Sequence, residues 1–186
     1  MNEPDGRRRR GQDNRARIVE AMLELVQAGD VAPVAEVVAA RADVGLRTVF
    51  RHFKDMDSLY GEMSAAVDTE VRALVERPYT ADKWRGQLSE LVDRRAVLFE
   101  KIAPFRQASE RLRGRSAFIA GEQVRMAMIL RDILRQIIPM EMGTENFEAL
   151  DLVLSYEAWA RLRREQNLSV EEAKVVIRRV ILGITG

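Results

Sequence analysis

The chain contains no cysteine and a single histidine, His52, among its 186 residues. Disulfides, thiolate nucleophiles and zinc sites built on cysteine or several histidines are excluded, because each needs side chains that are missing here. A hard-metal site made only of carboxylates is the one metal chemistry left open. Long apolar runs are also lacking: no stretch approaches the ~20 residues that cross a bilayer, and the basic N-terminal run carries no apolar segment of the secretory type. These absences predict a soluble, cytoplasmic protein with no membrane partner and no cofactor. Alternating strand-like runs and Asn-Gly hairpin turns are absent as well, which leaves an all-α fold. No charge of one sign dominates, since 30 Lys and Arg face 29 Asp and Glu for a net charge of +1. That balance by itself says little about partners.

What the chain does have is uneven charge and strong helical periodicity. Residues 1–12 are rich in Arg, Gly and small polar groups, with Arg7, Arg8, Arg9 and Arg10 in succession. So little apolar surface cannot offset the entropy of ordering, and a flexible basic arm is expected there. A first helix is expected over 13–28, where Asp13 can cap free amides, Ile18, Ala21, Met22 and Leu25 recur at helical spacing, and Gly29 suits the left-handed end. Pro33 fits the first turn of a short second helix with Val34, Val37 and Val38 on its apolar side. A break at Asp43-Val44-Gly45 then precedes a third helix over 46–53, the spacing of DNA-reading modules. Residues 13–55 are therefore read as a three-helix, helix-turn-helix DNA-binding domain. Residues 56–186 are read as a larger helical domain, with helices over 57–77, 81–102, 105–113, 117–138, 145–166 and 170–182. Pro104, Gly114, Pro139 and Gly143 are expected to separate them, and Ser169 with Glu172 forms a capping box at the last start.

The third helix concentrates the chemistry. Leu46, Val49, Phe50 and Phe53 recur at i, i+3, i+4 and i+7, so that face is expected to dock on the first two helices. Arg47, Thr48, Arg51 and His52 then fall opposite, closely followed by Lys54, with no acid between Gly45 and Lys54. A short cationic face on a rigid trihelical unit suits the major groove and its flanking phosphates. Arg47 lies in the first turn, and its planar fork matches guanine O6 and N7. Thr48 is short enough to allow close approach, while Arg51, His52 and Lys54 are assigned mainly to phosphates. A lone arginine on a helix is as readily a solvated surface group. The two preceding helices and the break are what favour DNA.

Residues 18–59 resemble the DNA-binding domain of the TetR (tetracycline-repressor-like) regulators. The matching residues are Ile18, Ala21, Gly29, Val38-Ala39, Val44, the run Thr48-Val49-Phe50-Arg51-His52-Phe53, and Leu59. The DNA-binding set carried by this match also takes in Gly45, Leu46 and Phe50. Several positions depart from the family pattern: Asp43 stands where Gly is usual, Gly45 where a Ser cap is common, Val34 for Thr, Met56 for Lys and Phe50 for Tyr. The Arg7 to Arg10 arm is expected to compensate by reaching an adjacent minor groove. The resemblance implies a homodimeric transcriptional repressor, released from pseudopalindromic double-stranded DNA by a small-molecule inducer.

It further implies that the last two helices pair with their symmetry mates, while the helices before them enclose a ligand pocket. Apolar residues on two sides of the 145–166 helix exceed what one core needs. Leu150, Val153, Leu154 and Trp159, with Val176 and Val180 on the last helix, are the expected dimer contacts. Met63, Val67, Trp84, Leu88 and Leu91 could line the pocket, as could Phe99, Phe105, Phe118, Met126 and Leu130, with plain core as the alternative for each. A small, largely apolar ligand is implied. A homodimer also suits the target, because two recognition helices about 34 Å apart enter successive major grooves. Two other classes compete: an enzyme using carboxylates such as Glu122, Glu145, Glu148, Asp151 or Glu157, and a helical interaction protein keeping the trihelical unit only as scaffold. No Glu-x-x-His pair or Gly-rich phosphate loop accompanies those acids, so the chain is read as a non-enzyme.

Overall fold

The structure is a computed structural model that describes the backbone of residues 4–75, 77–112 and 117–186. Within it, the side chains of 4–10, 68–70, 72–75, 109, 111–112, 117–120 and 122 lie outside the described residues. The regular elements among the described residues are all helical, with no strand. In chain order the helices are α1 Pro4–Gln27, α2 Ala35–Arg41, α3 Leu46–His52, α4 Met56–Val75, α5 Trp84–Leu112, α6 Ala117–Ile137, α7 Thr144–Val153, α8 Tyr156–Ala160 and α9 Val170–Thr185. A 3-10 turn, Met140–Met142, precedes α7, and a π-helical turn, Arg161–Glu165, extends α8. The chain divides into two compact units, Met1–Glu70 with Pro104–Gly121 and Val71–Ala103 with Glu122–Gly186.

In the first unit α1, α2 and α3 each touch the other two. Their core holds Ile18, Met22, Val26, Val38, Val49 and Phe53, and it continues into Leu59, Tyr60 and Met63 of α4 and into Phe105 and Ala108. This is why the unit extends past residue 55: the trihelical core is closed by side chains that lie later in the chain. α1 starts at Pro4, upstream of the expected Asp13. Proline tolerates the first helical turn and arginine is a good helix former, so the helix takes in most of the stretch expected as an arm. The side chains of Arg7 to Arg10, to which the minor-groove role was given, lie outside the described residues.

α2 also differs from expectation. Pro33 stands ahead of the helix, Val34 is its N-cap with extended dihedrals, and neither Val34 nor Val37 is buried. At 100° per residue, Ala35, Val38, Ala39 and Ala42 share the inward face, and these four are buried. Asp43 in the turn adopts φ 51, a left-handed conformation that aspartate tolerates better than most residues. Arg17 reaches both its carboxylate and its carbonyl at 3.4 Å.

Two corrections concern the later helices. Helix α5 runs through Pro104 rather than stopping before it. Proline removes one backbone bond, yet Ile102, Phe105 and Ala108 are all buried, and burial on both sides of the proline holds the helix together. The expected 145–166 helix, by contrast, is broken at Ser155. Its hydroxyl donates to the Leu152 carbonyl at 2.7 Å and accepts the Ala158 amide at 3.1 Å, so Ser155 ends α7 and caps α8. Around it Phe99 meets the Tyr156 ring edge-on at 5.7 Å. The Glu100 carboxylate accepts from the Trp159 indole and from Arg163, each at 2.9 Å. Those bonds, chiefly the ones from Arg163, hold the Glu100 carboxyl below its ordinary value.

The capping box of α9 forms as expected: Ser169 Oγ accepts the Glu172 amide at 3.3 Å and Glu172 accepts the Ser169 amide at 2.7 Å. Ser169→Ala is therefore expected to cost about 1 kcal/mol of stability. Urea unfolding should show a lower midpoint at an unchanged slope, and an unchanged midpoint would mean that the box contributes nothing.

Candidate nucleic-acid interface

Helix α3 is seven residues long, so its faces follow from its register. Val49 and Phe53 are buried, at 1% and 2% exposure, and define the inward direction. With 100° per residue, Arg51 points opposite that direction and Arg47 nearly so, while Phe50 and His52 lie on the two flanks, each roughly 80° from it. The exposure of the two arginines agrees with this register: Arg47, Arg51 and Lys54 are exposed, Thr48 and His52 are half-buried, and Phe50 is 50% exposed. Leu46 is exposed too. This corrects the i, i+3, i+4, i+7 reading, which placed Leu46 and Phe50 on the docked face. Leu46 lies within about 40° of the inward direction but at the start of the helix, and the core accepts only the Val49–Phe53 edge. The outward surface thus combines two arginines with an aromatic ring.

Three contacts hold this helix in place. The Arg15 guanidinium stacks over the Phe53 ring at 4.5 Å, donates to the His52 carbonyl at 2.8 Å and pairs with Glu62 at 2.8 Å. Arginine is suited to such a junction because its planar group stacks and donates at the same time. At the other end Gly45, the N-cap, is extended with φ −71 and supplies no side-chain cap. After Phe53 the chain turns at once into α4, where Asp55 Oδ1 accepts the Ser58 amide at 2.8 Å.

His52 does not behave as a third cation. Burial, then the Arg51 and Arg15 charges, lower its pKa from the ordinary value of 6.5, so it is neutral at neutral pH. Its Nε2 is buried without a hydrogen-bond partner among the described residues. Because the folded pKa lies below the unfolded one, acidification from neutral pH through the ordinary value of 6.5 protonates the unfolded chain first and lowers stability. His52 is the only histidine. His52→Gln should therefore flatten the stability–pH curve across that window in urea titrations, and an unaltered slope would contradict this assignment.

The residues expected to line one pocket are divided between the two compact units. Met63 and Phe105 belong to the core of the first unit, with Val67 packed half-buried against it. Trp84, Leu88, Leu91, Phe99, Met126 and Leu130 belong to the second unit, and the Phe118 side chain lies outside the described residues. Leu91 and Leu130 share a small cavity with Tyr79, Arg95, Leu98 and Ile133. Leu88 lines a separate cleft of about 240 Å³ with Val92, Arg178 and Ile181.

The expected dimer contacts divide as well. Leu150, Leu154 and Trp159 are buried within the second unit's own core, which removes them from any partner's reach, while Val153 is half-buried and Val176 and Val180 are exposed. Leu152 on α7 and Leu182 on α9 are exposed as well. Buried Arg95 was missed from the sequence, although it stands on the stripe of Leu88, Leu91, Val92, Leu98 and Phe99, and a lone charge in such a stripe is a usable signal. Among the described residues no cluster of three or more His, Asp or Glu side chains could hold a metal ion, and no helix is long and apolar enough to cross a membrane. The chain matches no protein-family model and no curated protein sequence.

Proposed function

We propose that this protein is a DNA-binding transcription regulator of the TetR type, acting as a homodimer and governed by a small molecule bound in its second unit. The observation that carries the reading is the geometry of α3: Val49 and Phe53 anchor it, Arg47 and Arg51 stand outward, and no acid interrupts the helix. Arg47 reads a guanine edge, Arg51 and Lys54 hold phosphates, and the exposed Phe50 ring offers an apolar surface to a thymine methyl group. His52, neutral at physiological pH, adds shape rather than charge.

Two such helices are needed to read a two-fold-symmetric site. The apolar side chains left exposed on α7 and α9, among them Leu152, Val176 and Val180, supply the surface for a second copy. The expected sense is repression relieved by ligand, with a coupling of about 1–3 kcal/mol between the two sites. Selection of bound duplexes from a random pool, repeated at two salt concentrations, tests the proposal. A two-fold-symmetric motif whose affinity falls steeply with salt is expected, by a log–log slope of about −0.9 for each phosphate contacted. A featureless pool, or binding indifferent to salt, contradicts it.

A further inference from the structure

Arg95 is 3% exposed, the one charged side chain buried to that degree among the described residues. A guanidinium taken out of water is costly unless an anion meets it, and among the described residues no carboxylate forms an ion pair with it. Asp151, whose charge acts on it, is held by Arg131 at 2.7 Å. Arg95 instead donates from Nη1 to the Leu154 carbonyl at 2.5 Å and from Nη2 to the Leu130 carbonyl at 2.6 Å. The first bond has a structural reason, since the break at Ser155 draws the Ala158 amide onto Ser155 Oγ and away from Leu154. The second has none of that kind: Leu130 lies within α6, where carbonyls already serve the helical ladder. Nε is buried with no acceptor among the described residues.

Beside this side chain lies a cavity of about 10 Å³, measured as room for a water's centre and sufficient for about one water molecule. Its walls are Leu91, Leu98, Leu130 and Ile133, with Tyr79 and Arg94 at one side. Arg94 is already engaged: it stacks over the Tyr79 ring at 4.0 Å and donates to the Arg77 and Pro78 carbonyls. Of the two cations on the cavity, Arg95 is the one with a buried donor, Nε, left unpartnered among the described residues.

We infer that this cavity is the effector site and that its ligand is a small monocarboxylate with an apolar body. The carboxylate sits on Arg95, and the body displaces the wall formed by Leu130 and Ile133. The inference deepens the regulator reading and rests on it for what the ligand does, though not for whether the ligand binds. Bonds from a guanidinium to a carboxylate are stronger than bonds to a neutral carbonyl, so the ligand takes Nη2 and Nε and frees Leu130. Entry thereby loosens α6 from α5 within the second unit, which gives binding a conformational consequence. A neutral ligand lacks the bond that opens the site. A dianion brings a second charge with no second free donor to meet it.

Titration calorimetry on the full-length protein with benzoate, hexanoate and octanoate, against benzamide, hexanamide, octanamide and inorganic phosphate, tests the site without DNA. At least one carboxylate should bind saturably and at least tenfold more tightly than its amide and than phosphate. Arg95→Met should abolish that preference. If this variant fails to fold, Ile133→Trp, which fills the wall and keeps the charge, should weaken the carboxylate at least tenfold. No binding by any carboxylate, equal binding of acid and amide, or undiminished binding to Ile133→Trp overturns the inference. Duplex affinity is measured separately. A selected duplex that binds while every carboxylate fails sinks the effector site and leaves the DNA reading standing, whereas carboxylate binding without any duplex selected supports the site and counts against the regulator.

Discussion

Phe53→Ala is expected to destabilise the first unit by about 3–5 kcal/mol, whereas Phe50→Ala, within the short helix that Phe53 caps, should change stability by less than about 0.5 kcal/mol. The difference follows from register rather than residue type. Phe53 is 2% exposed and shares the core of Ile18, Met22, Val38 and Leu59, so truncation removes buried area and leaves a void at the junction of α1, α3 and α4. It also removes the ring beneath Arg15, whose guanidinium ties the His52 carbonyl to Glu62. Phe50 is half in solvent already, and alanine there opens no cavity. Guanidinium unfolding followed by circular dichroism distinguishes the two, and comparable losses would mean that α3 sits on its core the other way round. Duplex binding should separate in the opposite sense at matched folded fraction, with the cost falling on Phe50→Ala.

The second large effect concerns the two outward arginines. Neither Arg47 nor Arg51 makes a hydrogen bond or ion pair among the described residues, so alanine at either position should leave stability almost unchanged while DNA affinity falls. Arg47→Ala is expected to cost about 1–3 kcal/mol on the selected duplex and to relax one base position. Arg51→Ala should weaken all sequences alike and reduce the salt slope by about one. On the proposed reading the two side chains meet different parts of the duplex, so the losses should nearly add, to roughly a hundredfold in the double variant. Anisotropy titrations against the selected and a scrambled duplex separate the two signatures. Retention of full affinity by the double variant would favour a trihelical unit kept only as scaffold.

Local signals in the sequence were reliable where one interaction decides the structure. The Ser169–Glu172 box, the left-handed Gly29 and the break ahead of α3 all follow from short-range chemistry, and each is present. Features set by competition between local and tertiary terms were less legible. Pro104 reads as a stop, but burial on either side carries α5 through it. Ser155 reads as one more helical residue, but its hydroxyl takes the backbone bonds of α7 and α8 for itself. The apolar pattern of α3 contained Leu46 and Phe50 as plainly as Val49 and Phe53, and only the packed core shows which edge it accepts. Likewise Leu150, Leu154 and Trp159 are as apolar as an interface requires, yet the second unit uses them for itself. Periodicity ranks faces; it does not say which of two apolar faces meets the chain's own core.

The account as a whole depends on the outward face of α3 touching DNA. A photoreactive phenylalanine analogue placed at position 50, and at the fully exposed Met140 as control, tests this directly in the presence of the selected duplex. The account predicts a DNA crosslink from position 50, lost when excess unlabelled duplex is added, and none from position 140. Stable binding of the duplex with equal labelling from both positions, or with none from position 50, would contradict it.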